Sequence, residues 1–233
     1  MKTAVMQPYF FPYIGYWQLI DSVDQFIVFD DVNYIKGGWI NRNRISSSKL
    51  DYFKLPLLGV SQNKKINEIK VNLDELFTKA DSRILHETYR KAPFCSEIEP
   101  LTDSLLYIRN DNLAEYLTEQ IKRICSLLGI STKILVSSQI PKDNSLKGED
   151  KIIEICRLLG TDEYINLIGG TDLYHKDVFE SNKISLKFLK SDLKPYRQFE
   201  DDFVPALSIL DVLMFTGIDG AKEQLKEFTL LEP

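Results

Sequence analysis

Hydrophobic positions recur at three- and four-residue steps most clearly over residues 111–128. There Leu113, Leu117, Ile121, Ile124 and Leu128 form one apolar stripe and Gly129 supplies a stop, which predicts a helix. Toward the N-terminus, residues 3–6 are a short apolar run that reads as a first strand. Residues 14–23 are apolar at helical spacing, and residues 25–31 read as a second strand ending in Asp30 and Asp31. Residues 52–57 and 66–71 read as further strands separated by the turn Gly59-Val60-Ser61-Gln62-Asn63, with Pro56 ending the first or confining it to an edge. A helix is expected over residues 74–90, with Leu76, Ile84 and Tyr89 on its buried side. Ala92-Pro93 stops it, because the residue before proline is pushed out of the helical region.

From residue 132 the pattern alternates. Strands are expected at 132–137, 163–167 and 184–189, with helices at 150–159 (ending at Gly160) and 177–181 between them. Two more helices follow, 206–215 stopped by Gly217, and 221–228. Strand and helix taking turns at this interval is the mark of βαβ units. The expectation is one α/β domain over residues 1–233, three-layered and Rossmann-like, with a mainly parallel sheet flanked by helices. No internal repeat, low-complexity tract or linker interrupts it.

Composition narrows the class. With 233 residues the chain can bury one sizeable core, and its formal charge of −5 argues against a protein that mainly binds nucleic acid. Its three cysteines, Cys95, Cys125 and Cys156, are widely spaced, which speaks against a disulfide framework or a cysteine-rich zinc site. Two histidines, His86 and His175, exclude a histidine-rich metal centre. The first residues lack a signal-peptide layout and no apolar run approaches membrane-spanning length, so a cytoplasmic protein with no membrane partner is expected.

The candidate chemistry starts at the turn after the first strand. Six aromatics fall within residues 9–17, more than a strand-to-helix turn needs. A buried aromatic plug is one reading. The tyrosine hydroxyls, each needing a partner if buried, favour an aromatic-walled pocket with Gln7, Tyr9 and Tyr13 as polar contacts. Beyond Asp30 and Asp31, residues 32–50 contain no acid but do contain Lys36, Arg42, Arg44 and Lys49, beside Tyr34, Trp39, Asn41 and Asn43. Such a loop suits a phosphorylated ligand; the competing reading is a solvated basic surface. A second turn, Gly169-Gly170-Thr171-Asp172-Leu173-Tyr174-His175, again follows a strand, and its glycines allow backbone amides to approach a ligand. Thr171 or Asp172 could cap the next helix, and His175 stays open as a catalytic group. Cys125 and Cys156 read as buried packing, and His86 as structural or exposed. Asp211 is either a core-edge residue or a polar contact.

QPYFFPYIGYWQLI (residues 7–20) and VFDDVNYIKGGWINRNRI (residues 28–45) resemble the signature of the WbqC-like family of bacterial proteins. The likeness continues at residues 54–57, 64–69, 169–174 and 196–198, and through residues 203–211. Members of that family sit in gene clusters for surface polysaccharides such as O-antigen, and the role proposed for them is transfer of glycine onto an amino sugar. The resemblance therefore implies two small-molecule substrates, a nucleotide-linked amino sugar and an amino-acid donor, with a charged tRNA the one nucleic acid that would enter. It implies diphosphate contacts from Lys36, Arg42 and Arg44, and a stacking face from Trp39 or Tyr34. Asp30 or Asp31 would act as general base, or as a magnesium ligand if ATP activates the acid, with Tyr13 and His175 as further catalytic candidates. The remaining substrate-binding candidates are Gln7, Pro8, Tyr9, Phe11, Gly15, Tyr16, Asn41, Asn43, Gly169, Gly170, Asp172, Tyr174 and Gln198. Tyr13-Ile14-Gly15-Tyr16 also has the spacing of the H-x-G-H motif of nucleotidylyltransferases, although tyrosine carries no positive charge near neutral pH. A nucleotidylyltransferase-like enzyme and a non-catalytic sugar-nucleotide-binding protein are thus the rival classes.

Overall fold

The computed structural model describes residues 1–45, 52–78 and 80–233. In chain order, β1 (Lys2–Met6) leads through α1 (Ile14–Asp21) to β2 (Gln25–Val28). A long crossover follows. It holds two small antiparallel pairs, β3 (Arg42–Arg44) with β4 (Tyr52–Lys54) and β5 (Leu57–Leu58) with β6 (Lys70–Val71). It continues through α2 (Leu73–Leu76), α3 (Ala80–Tyr89), α4 (Cys95–Leu106) and α5 (Leu113–Leu128). Then come β7 (Lys133–Val136), α6 (Gly148–Leu158), β8 (Glu163–Leu167), α7 (Lys176–Ser181), β9 (Ser185–Ser191), α8 (Ile209–Gln224) and β10 (Phe228–Leu231).

Six strands form the main sheet in the order β10-β9-β8-β1-β2-β7, parallel throughout except for β10, which runs antiparallel to β9. The chain builds outward from β1 to β7 and then restarts on the other side with β8. The strand order therefore reverses between β1 and β8, the point where open α/β sheets form a crevice at their carboxyl ends. Successive residues alternate between two cores. Ala4, Phe26, Val28, Ile165 and Leu189 face one core, with α1, α5 and α8. Val5, Ile27, Tyr164 and Phe188 face the other, beneath α6 and α7. The two-residue period of a strand requires this division when both faces are covered. The expected three-layer α/β architecture is the one observed.

The periodic helix α5 buries Leu113, Leu117, Ile121, Ile124 and Leu128, is capped by the Asn112 side chain and ends at Gly129 with φ +74°. Elsewhere the boundaries differ. The helix expected over 74–90 is two, α2 and α3, and residue 79 lies outside the described residues. Leu85 and Tyr89 form the buried side of α3, one turn apart, which turns Ile84 outward at 45% exposure. Helix α4 was not legible because it carries Pro100 in its interior, where proline normally breaks a helix. The helix expected to reach residue 228 ends at Gln224, and residues 228–231 instead pair with β9, Leu230 opposite Leu189. Gly217 (φ +69°) kinks α8 into two segments, much as the stop there predicted.

Candidate functional site

The loop after β1 divides its aromatics between core and surface. Phe10, Phe11, Tyr16 and Trp17 are fully buried. Phe11 adopts φ +43°, a left-handed conformation costly for a bulky side chain, of order 1–3 kcal/mol. Three hydrogen bonds hold it there. Its N–H donates to Gln120 Oε1 (3.1 Å), and its carbonyl accepts from Asn43 Nδ2 (2.8 Å) and Ser208 Oγ (2.8 Å). Trp17 Nε1 donates to the Pro12 carbonyl (3.0 Å) and the Tyr16 hydroxyl to that of Gln7 (3.0 Å), so Phe11 and Tyr16 hold the loop in shape. Pro8 is buried with them. A Cβ on Gly15 would sit 2.5 Å from the Tyr13 ring, which accounts for glycine there.

The half-buried members face outward. Tyr9 and Tyr13 line a cavity of about 230 Å³ together with Trp39, Asn43 and Arg44. Burial pushes the Tyr9 hydroxyl pKa up; burial and then the neighbouring Tyr9 do the same for Tyr13, so both remain hydrogen-bond donors near neutral pH. Arg44 contacts the Pro205 carbonyl through one terminal nitrogen (3.4 Å), while its Nε is buried with no partner among the described residues. The other basic residues are placed differently. Arg42 is tied to the carbonyls of Gly37 and Gly38 and lies 4.1 Å over the Tyr52 ring, and Lys36 is exposed. The Tyr34 hydroxyl donates to Asn41 Oδ1 (2.7 Å), and Asn41 Nδ2 to the Leu55 carbonyl (3.0 Å), closing the base of the loop. Lys49 lies outside the described residues.

The two aspartates diverge. Asp30 accepts from Ser138 N (2.9 Å), Ser138 Oγ (2.6 Å) and Asn67 Nδ2 (3.1 Å), and lines a separate cleft of about 730 Å³ between β7 and α5. Asp31 Oδ2 is held between the ammonium groups of Lys142 (2.9 Å) and Lys151 (2.8 Å). Burial raises the Asp31 pKa, but the Lys151 and Lys142 ammonium groups bonded to it outweigh that and hold the carboxyl at about 2. A carboxylate so stabilised is a weak base, and two lysines against it repel a cation. The acid pair is therefore not arranged to hold magnesium, and among the described residues no group of three or more His, Cys, Asp or Glu is placed as a metal site.

The diglycine turn forms a 3₁₀ helix, Ile168–Leu173. Gly170 is buried with Asn166 Nδ2 2.8 Å from where a Cβ would be, while Gly169 and Asp172 are exposed. Helix α7 is preceded by His175 with no side-chain cap, so neither Thr171 nor Asp172 caps it. His175 instead bonds Glu149 of α6 through its N–H (2.5 Å) and Nδ1 (3.2 Å). The Tyr174 hydroxyl meets that of Tyr164 (3.2 Å). Gln198 Nε2 and the Tyr196 hydroxyl donate to Asp211 Oδ1 (2.9 and 2.6 Å), and the Tyr89 hydroxyl donates to Asp211 Oδ2 (3.1 Å). Asp211 is thus a buried acceptor linking α3, α8 and the 196–198 segment, a role the sequence left open. Lys142, in the loop after β7, and Lys151, on α6, carried no signal, since a lysine on a loop or a helix face ordinarily reads as solvated. The tyrosine loop, the acid pair and the diglycine turn all follow carboxyl ends of parallel strands, yet the aromatic cavity takes in neither Asp30, Asp31, Gly169 nor Gly170.

A model of the WbqC-like protein family matches residues 7–223. The chain belongs to that family. The match runs from the tyrosine loop, through Asp30 and Asp31, to the second segment of α8. The chain is also 30% identical over 223 residues to the uncharacterized protein Rv1507c of Mycobacterium tuberculosis (strain ATCC 25618 / H37Rv), covering 94% of this WbqC-like chain and 95% of that relative. No solved structure matches it. Among the described residues no helix is long and apolar enough to cross a membrane.

Proposed function

We propose that this WbqC-like protein transfers an amino acid, glycine in the first instance, from an activated donor to the amine of a nucleotide-linked amino sugar in the assembly of a bacterial surface polysaccharide such as O-antigen. The observation that carries the reading is the aromatic cavity at the carboxyl end of β1. Tyr9, Tyr13 and Trp39 offer ring faces, the two tyrosines add neutral hydroxyl donors, and Arg44 brings a buried Nε with no partner among the described residues. Ring faces suit the C–H face of a sugar, and a free guanidinium N–H suits a phosphate or a developing oxyanion.

In the reaction the amine attacks the acyl carbon, the bond to the donor's leaving group breaks, and the amine proton departs with that group. Amide and leaving group are the products. The cavity's part is to hold the two reactants at bonding distance and to donate hydrogen bonds to the acyl oxygen. Asp31, neutralised by lysines, has no step in this scheme.

Mass spectrometry tests it. A nucleotide-linked amino sugar is incubated with the protein and either glycine, ATP and magnesium or glycyl-tRNA. The sugar nucleotide is expected to gain one glycyl group under one of these conditions, and the gain should be lost on Arg44→Ala. Tight sugar-nucleotide binding with no product from either donor would replace the transferase reading with that of a binding protein.

A further inference from the structure

The cleft of about 730 Å³ beside β7 is distinct from the aromatic cavity and falls within the range of small-molecule sites, roughly 300–1,000 Å³. Its floor is the open edge of the main sheet. The Lys133 N–H donates to the Asp24 carbonyl (3.2 Å), so Lys133 and, two residues on, Leu135 turn their main-chain groups toward β2. The N–H and C=O of Ile134 and the N–H of Val136 therefore point away from β2, into the cleft. A carbonyl followed two residues later by an N–H on one strand edge is an adjacent acceptor and donor, the pattern a nucleobase edge complements.

The charged groups of the cleft sort into those already engaged and those that are not. Asp30 is satisfied by Ser138 and Asn67, Glu115 accepts from Asn110 Nδ2 (2.8 Å), and Glu119 is paired with Arg123 (2.8 Å). Arg109 and Lys122 line the same cleft and make no ion pair among the described residues. Among the described residues, the unspent capacity is thus a main-chain donor and acceptor on the floor and two cations on the walls.

We infer that this cleft binds a nucleoside phosphate, its base edge on the Ile134 carbonyl and Val136 N–H and its phosphates on Arg109 and Lys122. The site stands apart from the aromatic cavity, and its occupancy does not depend on amide formation there.

The test is calorimetric titration with ADP and with UDP, alongside adenosine, uridine and inorganic pyrophosphate as separate arms, and amide chemical-shift mapping of the unaltered protein. One nucleoside diphosphate should bind more tightly than either of its fragments and shift the Ile134 and Val136 amides. Arg109→Ala and Lys122→Ala, both on exposed positions, should each weaken it about tenfold. Pyrophosphate binding as tightly as the diphosphates would reduce the cleft to an anion site and overturn the inference. So would shifts confined to the aromatic cavity, or no binding in any arm. Loss of glycyl transfer with nucleotide binding intact would instead count against the aromatic cavity alone.

Discussion

Replacing Asp31 with asparagine keeps the size of the side chain and removes the one charge facing two buried ammonium groups. The side chains of Asp31, Lys142 and Lys151 are 4%, 0% and 6% exposed, so water cannot replace the lost partner. Two routes bracket the cost. Removing one member of a buried ion pair typically costs about 3–5 kcal/mol, because the remaining charge stays buried. The lowering of the Asp31 carboxyl from 3.8 to about 2, at roughly 1.4 kcal/mol per unit, gives about 2 kcal/mol as that group's own share at neutral pH. The larger figure applies to Asp31→Asn, since it includes the stranded lysines. The sign of the pH dependence follows from the lowered value. The contribution is fully present above the ordinary carboxyl pKa near 3.8 and is lost as pH falls from there toward 2. Urea unfolding followed by the fluorescence of Trp17 and Trp39 reads both effects. At pH 7, Asp31→Asn should lower the unfolding free energy by about 3 kcal/mol or more. Lys142→Met, which leaves the Asp31–Lys151 pair in place, should cost only about 1 kcal/mol. Between pH 4 and 2 the native protein should lose about 2 kcal/mol that the asparagine variant has already lost. An Asp31→Asn midpoint at pH 7 equal to that of the native protein would refute the reasoning.

Gly217→Ala should destabilise by about 2 kcal/mol or more, because φ is +69° and the new Cβ would lie 2.8 Å from the Phe94 ring; Gly148→Ala (φ +53°, nothing within 4 Å) should show the backbone cost alone, about 1 kcal/mol, by thermal unfolding. Asp211→Ala strands the hydroxyls of Tyr89 and Tyr196 and the amide of Gln198, and should cost about 3 kcal/mol by the same urea assay. Trp39→Ala and Arg44→Ala should lower glycyl transfer by about a hundredfold while leaving the circular dichroism spectrum and urea midpoint near those of the native protein.

Local burial patterns carried much of the architecture. The stripe of α5, the run of β1 and the strand–helix alternation after residue 132 were legible because an element that buries one face must repeat with its own period. The family was legible too, in the stretch from Gln7 to Ile20 and its continuation past Asp30. What no local pattern could supply was partnership. Asp30 and Asp31 are neighbours in sequence, yet the chain turns one toward Ser138 and Asn67 and the other toward Lys142 and Lys151, leaving one beside a cleft and the other sealed in an ion pair. Their partners come from the crossover, the segment between β7 and α6, and α6 itself, distant in sequence and joined only by packing. The same holds for Phe11, whose left-handed backbone depends on Asn43, Gln120 and Ser208 arriving from three other elements. Hydrophobic period is a property of a segment, whereas the environment of a charge or a strained peptide belongs to whatever the fold brings against it.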